Sequence, residues 1–291
     1  RESLSGLDGV LVDLQDVGAR FYTFVWTLSL LMAACARVRI PVAILDRPNP
    51  LGGRPEDVEG PLPDRDLPAS FLSRWPIPIR HSLTMGEMAL LLRKEMKLAL
   101  EVAVVPMEGW RREMAWPDTG LPFHPPSPGL PDSRALFTYP ALVFLEATNV
   151  LEGRGTPLSF QWFGSPWLDG ETRAESLQAL GIPGLEAEPR TLEVPGVHLE
   201  VRDPRWFRPV ATGLKILALL RTLFPRDFSW QPYPTAVNPG GEDHLLHLLR
   251  SRELVRILEG DPHPLLNAES VAAWTAAPGW WTRVTPHLLY R

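Results

Sequence analysis

Cysteine is almost missing from this sequence: Cys35 stands alone, which excludes an intramolecular disulfide framework and a cysteine-rich zinc site. Lysine is nearly as scarce, occurring only as Lys94, Lys97 and Lys215. Positive charge is therefore carried by arginine, whose planar fork grips carboxylates bidentately. No basic block occurs, and 29 basic against 34 acidic side chains give a net charge of −5. That balance gives nucleic acid no electrostatic footing. The longest uncharged run, Phe21 to Ala36, carries Thr23, Thr27 and Ser29 and is shorter than the roughly 20 residues of a membrane-spanning helix. It reads as a buried helix. Asp8, Asp13 and Asp16 precede it where a signal peptide would carry cations. No G-x-G-x-x-G follows the first strand, and neither G-x-x-x-x-G-K-[ST] nor G-x-S-x-G occurs. Nucleotide binding and a standard hydrolase elbow lose support accordingly.

What is present in quantity is proline, 32 residues, and tryptophan, 11 residues. Proline is excluded from helix interiors and central strands, so this many implies long ordered loops on a rigid frame. The 291 residues suffice to bury roughly three quarters of the unfolded surface without a staple. Short apolar runs at Val10 to Leu14 and Pro41 to Leu45 flank a helical pattern from Tyr22 to Val38, a βαβ unit with parallel strands. Thr84-Met85-Gly86-Glu87 fits a capping box opening a helix to about Lys97. Leu100 to Val105 supplies a third strand. Pro106 to Pro131 is too broken by Trp, Pro and Gly for a regular element and reads as a functional loop. A composition change near Gly164 to Gly184 divides the chain into 1–163 and a smaller α+β unit, 164–291. In the latter, strands are expected at Leu192 to Val194 and Val197 to Val201. Helices are expected at Gly213 to Leu223, Glu242 to Leu249, Arg252 to Leu258 and Ala268 to Ala276. The fold class is α/β.

Ligands of open parallel sheets bind outside the carboxyl ends of the strands. There the sequence places Asp13 and Asp16 after one strand, Asp46 and Arg47 after its neighbour, and Arg20 and Tyr22 in the first loop. The alternative is structural: Asp16 caps a helix and Asp46 organises the Arg-Pro-Asn-Pro turn. A second concentration is Glu146, Asn149, Glu152 and Arg154, the arginine flanked by glycines that let backbone approach a ligand. It reads as a sugar- or carboxylate-binding loop, or else as a solvated helix end with Gly153 as its C-cap. Paired carboxylates suit glycoside cleavage, in which one protonates the leaving oxygen and another attacks or stabilises the anomeric centre. His81 is either a site residue or a loop anchor. His244 and His247 lack an H-E-x-x-H context, and no metal is expected.

Several ordered segments resemble the NamZ-type exo-β-N-acetylmuramidases, long classed as a bacterial domain of unknown function. They are Val12-Asp13-Leu14-Gln15-Asp16-Val17-Gly18-Ala19-Arg20-Phe21-Tyr22-Thr23, Leu45-Asp46-Arg47-Pro48-Asn49-Pro50-Leu51-Gly52-Gly53, Val58-Glu59-Gly60-Pro61 and Pro78-Ile79-Arg80-His81. The agreement continues through Val105-Pro106-Met107-Glu108-Gly109-Trp110, Pro125-Pro126-Ser127-Pro128, Glu146-Ala147-Thr148-Asn149 and Glu152-Gly153-Arg154-Gly155-Thr156. It spans about Gly6 to Tyr290. Ala147 stands where the family commonly has glycine.

The resemblance implies a Rossmann-like amino-terminal domain and a smaller auxiliary domain with the active cleft between them. It implies release of N-acetylmuramic acid from non-reducing ends of peptidoglycan fragments, no cofactor, and an extracytoplasmic setting. Relatives carry a further amino-terminal stretch with a Pro-Glu-His-Gly-type loop, so the expectation is that this chain begins after one catalytic group. Asp16, Glu146 and Glu152 are then the catalytic candidates. Asp13, Arg20, Tyr22, Asp46, Arg47, Asn49, Glu59, His81, Asn149 and Arg154 are the substrate-binding candidates, with Arg20, Arg47 or Arg154 matched to the lactyl carboxylate. A non-catalytic muropeptide-binding module and a nucleotide-sugar or phosphosugar enzyme are the competing readings.

Overall fold

The computed structural model describes residues 4–291; Arg1, on which the reading of the chain's start rests, lies outside them. Strands β1 (Val10–Val12), β2 (Val42–Leu45) and β3 (Val102–Val105) form a parallel sheet in that order, with Val12 opposite Ile44 and Leu45 opposite Val105. Alternation decides what each strand buries. Val12, Val42 and Ile44 are buried with helices α1 (Phe24–Val38) and α2 (Met85–Glu95), and Cys35 lies inside this core. Leu11 and Val105 on the other face are exposed. The capping box forms as the sequence indicates: the Glu87 amide donates to Thr84 Oγ1 at 3.2 Å and the Thr84 amide to Glu87 Oε2 at 3.1 Å.

The second part of the chain is built on β4 (Trp162–Gly164), β6 (Gly196–Val201) and β5 (Leu185–Pro189), an antiparallel sheet in that order. The molecule is thus α/β, a parallel sheet with helices joined to a second, antiparallel sheet. Leu192 to Val194, expected as a strand, is instead the turn between β5 and β6. Its backbone closes on itself, Leu192 N–H donating to Val194 C=O, while Leu185–Pro189 takes the pairing positions. A helix was not foreseen at α3 (Ala135–Leu142), which holds Pro140, nor at α4 (Gly170–Ala179) or α9 (Trp280–Val284). Helix α5 (Pro209–Leu223) runs through the larger core against α3, and a Cβ at Gly213 would meet the Ala141 carbonyl at 2.5 Å. The expected α6 (His244–Leu249), α7 (Arg252–Glu259) and α8 (Ala268–Trp274) follow. Residues 106–131 hold one short 3₁₀ turn, Trp116–Thr119. No helix among the described residues is long and apolar enough to cross a membrane.

Among the side chains that join the two parts, Arg20 is bonded to both most extensively through backbone. Arg20 is fully buried, and its guanidinium donates to the carbonyls of Pro61 (2.8 Å), Ile77 (2.9 Å), Leu248 (2.9 Å) and Leu249 (2.9 Å). It therefore ties the first rim loop to the carboxyl end of α6. Arg20→Met strips donors from four carbonyls, and we expect a destabilisation of about 3–5 kcal/mol, measured as a fall in the urea midpoint. A loss under about 1 kcal/mol would show that these carbonyls find other partners.

Candidate active site

The loop after β1 brings Asp16 inward. It is buried, its Oδ2 accepts from the Gly18 amide at 2.8 Å, and it lies 3.4 Å from His81 Nε2. His81 Nδ1 accepts from the Leu83 amide at 3.2 Å, which assigns the ring proton of neutral His81 to Nε2, facing Asp16. Asp16 Oδ1 is buried without a protein partner. Gly18 is required here: its φ is 77° and a Cβ would lie 2.4 Å from Asn49 Oδ1. Tyr22, half-buried, donates its hydroxyl to Pro126 C=O at 2.9 Å and meets Tyr139 edge-on at 6.3 Å. Burial first, then the charge of Asp16, pushes the Tyr22 phenol up.

Tyr139 connects this loop to the second cluster. It is buried, and its ring meets Phe160 edge-on at 4.8 Å. Its phenol is raised by burial and then by the charge of Glu146, with smaller contributions from Tyr22 and Asp16 and against the pull of Arg154. Glu146 lies on the 3₁₀ turn that continues α3. One of its oxygens accepts from Arg154 Nη2, and the other lies 2.9 Å from His244 Nε2. Arg154 Nε donates to Glu152 Oε1 at 3.1 Å, and the guanidinium lies 4.8 Å over the Phe160 ring. The turn between Glu152 and Arg154 needs glycine at 153, where φ is 76° and a Cβ would lie 2.5 Å from the Leu158 carbonyl. The exposures are graded: the side chains of Glu146 and Glu152 are 8% and 12% accessible and that of Arg154 is 44%. Burial holds the Glu152 carboxyl above the usual carboxylate range, against the pull of its own backbone and of Arg154.

Other sequence-selected residues are placed elsewhere. Arg20, expected to grip a carboxylate, has its terminal nitrogens on backbone carbonyls instead. Asp46 serves the start of α2, accepting from Thr84 Oγ1 (2.7 Å), the Gly86 amide (2.8 Å) and the Tyr290 hydroxyl (2.6 Å). Asp13 and Arg47 pair with each other at the surface. Asn49 is buried between the Leu83 carbonyl and the Leu51 amide. Glu59 holds the amino end of α5, accepting from the Ala211 amide at 3.0 Å, with Arg80 at 3.8 Å. Asn149 bridges Asp227 and Ser229. Sequence reasoning passed over Tyr139, Phe160 and Tyr233, and weighed His244 only as a metal ligand; Glu146 and His244 are 98 residues apart, and no local pattern announces their contact.

A hollow of about 400 Å³ lies instead against the antiparallel sheet, with Arg134, Phe137, His198, Arg202 and Arg205 in its walls. Its arginines are each neutralised, Arg134 by Asp132, Arg202 by Glu186 and Glu200, and Arg205 by Asp203. Arg154 pairs with Glu146 and Glu152, and its Nη1 makes no hydrogen bond to the protein among the described residues. No group of three or more metal-ligating side chains occurs among the described residues.

A parallel-sheet unit joined to an α+β unit, with acids and an arginine gathered beside their junction, defines an α/β protein with a carboxylate-guanidinium site. Its sequence is more specific than that. The family described as exo-beta-N-acetylmuramidase NamZ matches through its N-terminal part at residues 1–134 and its C-terminal part at residues 137–290. The chain belongs to this family. It is 38% identical over 239 residues to the peptidoglycan beta-N-acetylmuramidase NamZ of Bacillus subtilis (strain 168), a match covering 79% of this chain and 57% of that protein. The chain thus spans little more than half the length of that curated relative. Its structure is similar to the crystal structures of two DUF1343 family proteins from Bacteroides fragilis NCTC 9343. The TM-scores are 0.83 at 27% identity and 0.71 at 26% identity, each match covering all of this chain and 77% of the other.

Arg154 lowers the Glu152 pKa through both its charge and its hydrogen bond. Arg154→Met is therefore expected to move the already raised Glu152 titration further up, as followed by carboxyl ¹³C NMR. An unchanged midpoint would show that the guanidinium is not held against Glu152 in solution.

Proposed function

We propose that the protein is a glycoside hydrolase releasing N-acetylmuramic acid from the non-reducing ends of peptidoglycan fragments, with Arg154 as the group that recognises the lactyl carboxylate. The observation that carries this reading is the half-exposed Arg154 guanidinium, held over Phe160 by buried acids and left with an unengaged Nη1. A guanidinium whose position is already fixed loses little conformational entropy on binding a second carboxylate. The name of the Bacillus subtilis relative, a peptidoglycan beta-N-acetylmuramidase, supports the same substrate class.

Within this reading the three catalytic candidates separate by chemistry. Glu146 has both oxygens engaged, so it holds Arg154 rather than donating a proton. Glu152 has one oxygen bonded by Arg154 and a carboxyl raised by burial, which suits a general acid that protonates the leaving oxygen. Asp16, whose Oδ1 is unpartnered and whose charge raises the Tyr22 and Tyr139 phenols, takes the role of second carboxylate or sugar-hydroxyl acceptor. Tyr22 offers a ring face to the sugar.

The test is release of chromophore from a β-N-acetylmuramide and from the matching β-N-acetylglucosaminide by the full natural protein. Release from the first and far less from the second is expected. No release from a folded preparation rejects the hydrolase, and binding of a muramic-acid disaccharide without turnover would make it a binding module. Glu152→Gln should lower kcat by about 10²–10⁴. It should also abolish the fall in rate as pH rises through the raised Glu152 pKa, where the acid loses its proton.

A further inference from the structure

We propose that His244 is a positioning residue of this site: by holding one oxygen of Glu146, it aims the other at Arg154 and so fixes the guanidinium that meets an anionic sugar. This rests on the reading of Arg154 as the substrate's carboxylate partner, and it adds to that reading a residue outside the Glu146–Arg154 segment.

The geometry is that of a brace. His244 opens α6 and its side chain is 3% accessible, with Nε2 at 2.9 Å from Glu146 Oε2. Its ring lies on Tyr233 at 4.7 Å and 33°. The turn that delivers both rings is closed by the Tyr233 amide donating to Gly241 C=O at 2.9 Å and by Asn238 Nδ2 donating to Glu242 C=O at 2.9 Å. The far end of the same short helix is pinned by Arg20 on the Leu248 and Leu249 carbonyls. His244 is thus fixed in plane by a ring and in position by both ends of its helix.

The chemical consequence concerns Glu146. Its carboxylate is nearly buried and bonded on one side by Arg154 and on the other by His244. Without His244, Oε2 loses its donor, and a buried carboxylate oxygen seeks another. The nearest fixed donor set is the guanidinium, so the carboxylate turns to take a second Arg154 N–H. Arg154 then leaves Glu152 and the Phe160 ring, and the edge offered to a ligand turns with it.

The experiment compares wild type, His244→Phe and His244→Gln. Phenylalanine keeps the ring on Tyr233 but has no donor, whereas glutamine restores an N–H donor of similar reach. Two readouts are taken: protection of the Arg154 Nε–H from exchange by ¹⁵N NMR, which needs no ligand, and the dissociation constant for N-acetylmuramic acid by calorimetry. Wild type and His244→Gln are expected to protect the Arg154 Nε–H, and His244→Phe to lose that protection and bind about tenfold or more weakly. Unchanged protection in a folded His244→Phe protein overturns the proposal whether or not the sugar binds. Should Arg154 respond as expected while wild type binds no muramic acid, the brace stands and the substrate assignment falls. A His244→Gln protein as impaired as His244→Phe also overturns it, since the donor would then not be what matters.

Discussion

The arrangement of the site depends on a buried cation with no carboxylate partner. Arg20 makes its contacts with backbone carbonyls from three separate segments, and burial, then the neighbouring Arg250, push its pKa down to about 9. It remains charged at neutral pH, and the carbonyl dipoles replace the water its terminal nitrogens have lost, while Nε is buried without a partner. A guanidinium stripped of those carbonyls as well is costly enough that these segments hold together as a unit. Arg20 sits four residues after Asp16 and two before Tyr22, and it grips the helix that begins with His244. The Asp16–Tyr22 loop and the partner of Glu146 are therefore placed relative to one another by the same side chain.

A second constraint explains why several rim acids are structural. The amino ends of α2 and α5 present amides that lack intrahelical acceptors. Asp46 and Glu87 sit at α2, and Glu59 sits at α5. Asp46 leaves β2 at the position where parallel-sheet ligands usually bind, yet the start of α2 and Tyr290 occupy its oxygens. A carboxylate held by backbone amides and a carboxylate that would hold a sugar hydroxyl are the same residue type at the same topological place. Only the path of the intervening chain separates them.

This is also where the sequence stops being informative. The parallel strands, α1 and the Thr84–Glu87 cap follow from local periodicity and a four-residue motif, so they are readable in place. The turn at 192–194 reads as a strand because Leu192 and Val194 alternate about Glu193; pairing with β6 selects 185–189, a tertiary choice. Helix α3 is hidden by Pro140 and by the absence of a polar face, since it is buried all round. The Glu146–Arg154 half of the site was visible because its acids and arginine lie within nine residues. The His244 half was not, because a contact across 98 residues leaves no mark on either segment.

On the proposed reading, one electrostatic arrangement would serve both recognition of an anionic sugar and acid catalysis. Were Glu146 and Glu152 both ionised beside Arg154, that trio would carry a net negative charge and would oppose a second carboxylate. Burial raises the Glu152 pKa, which moves the trio toward the less negative state, while Arg154 Nη1 makes no hydrogen bond to the protein among the described residues. An arriving lactyl carboxylate would add negative charge near Glu152 and raise its pKa further. On the proposed reading, substrate binding would strengthen the protonated state that a leaving oxygen requires. A neutral sugar supplies no such charge, so on that reading recognition of the carboxylate and readiness of the acid would be one effect. Lysine at 154 would break the coupling, because a single ammonium cannot span Glu146 and Glu152 and still present a planar edge.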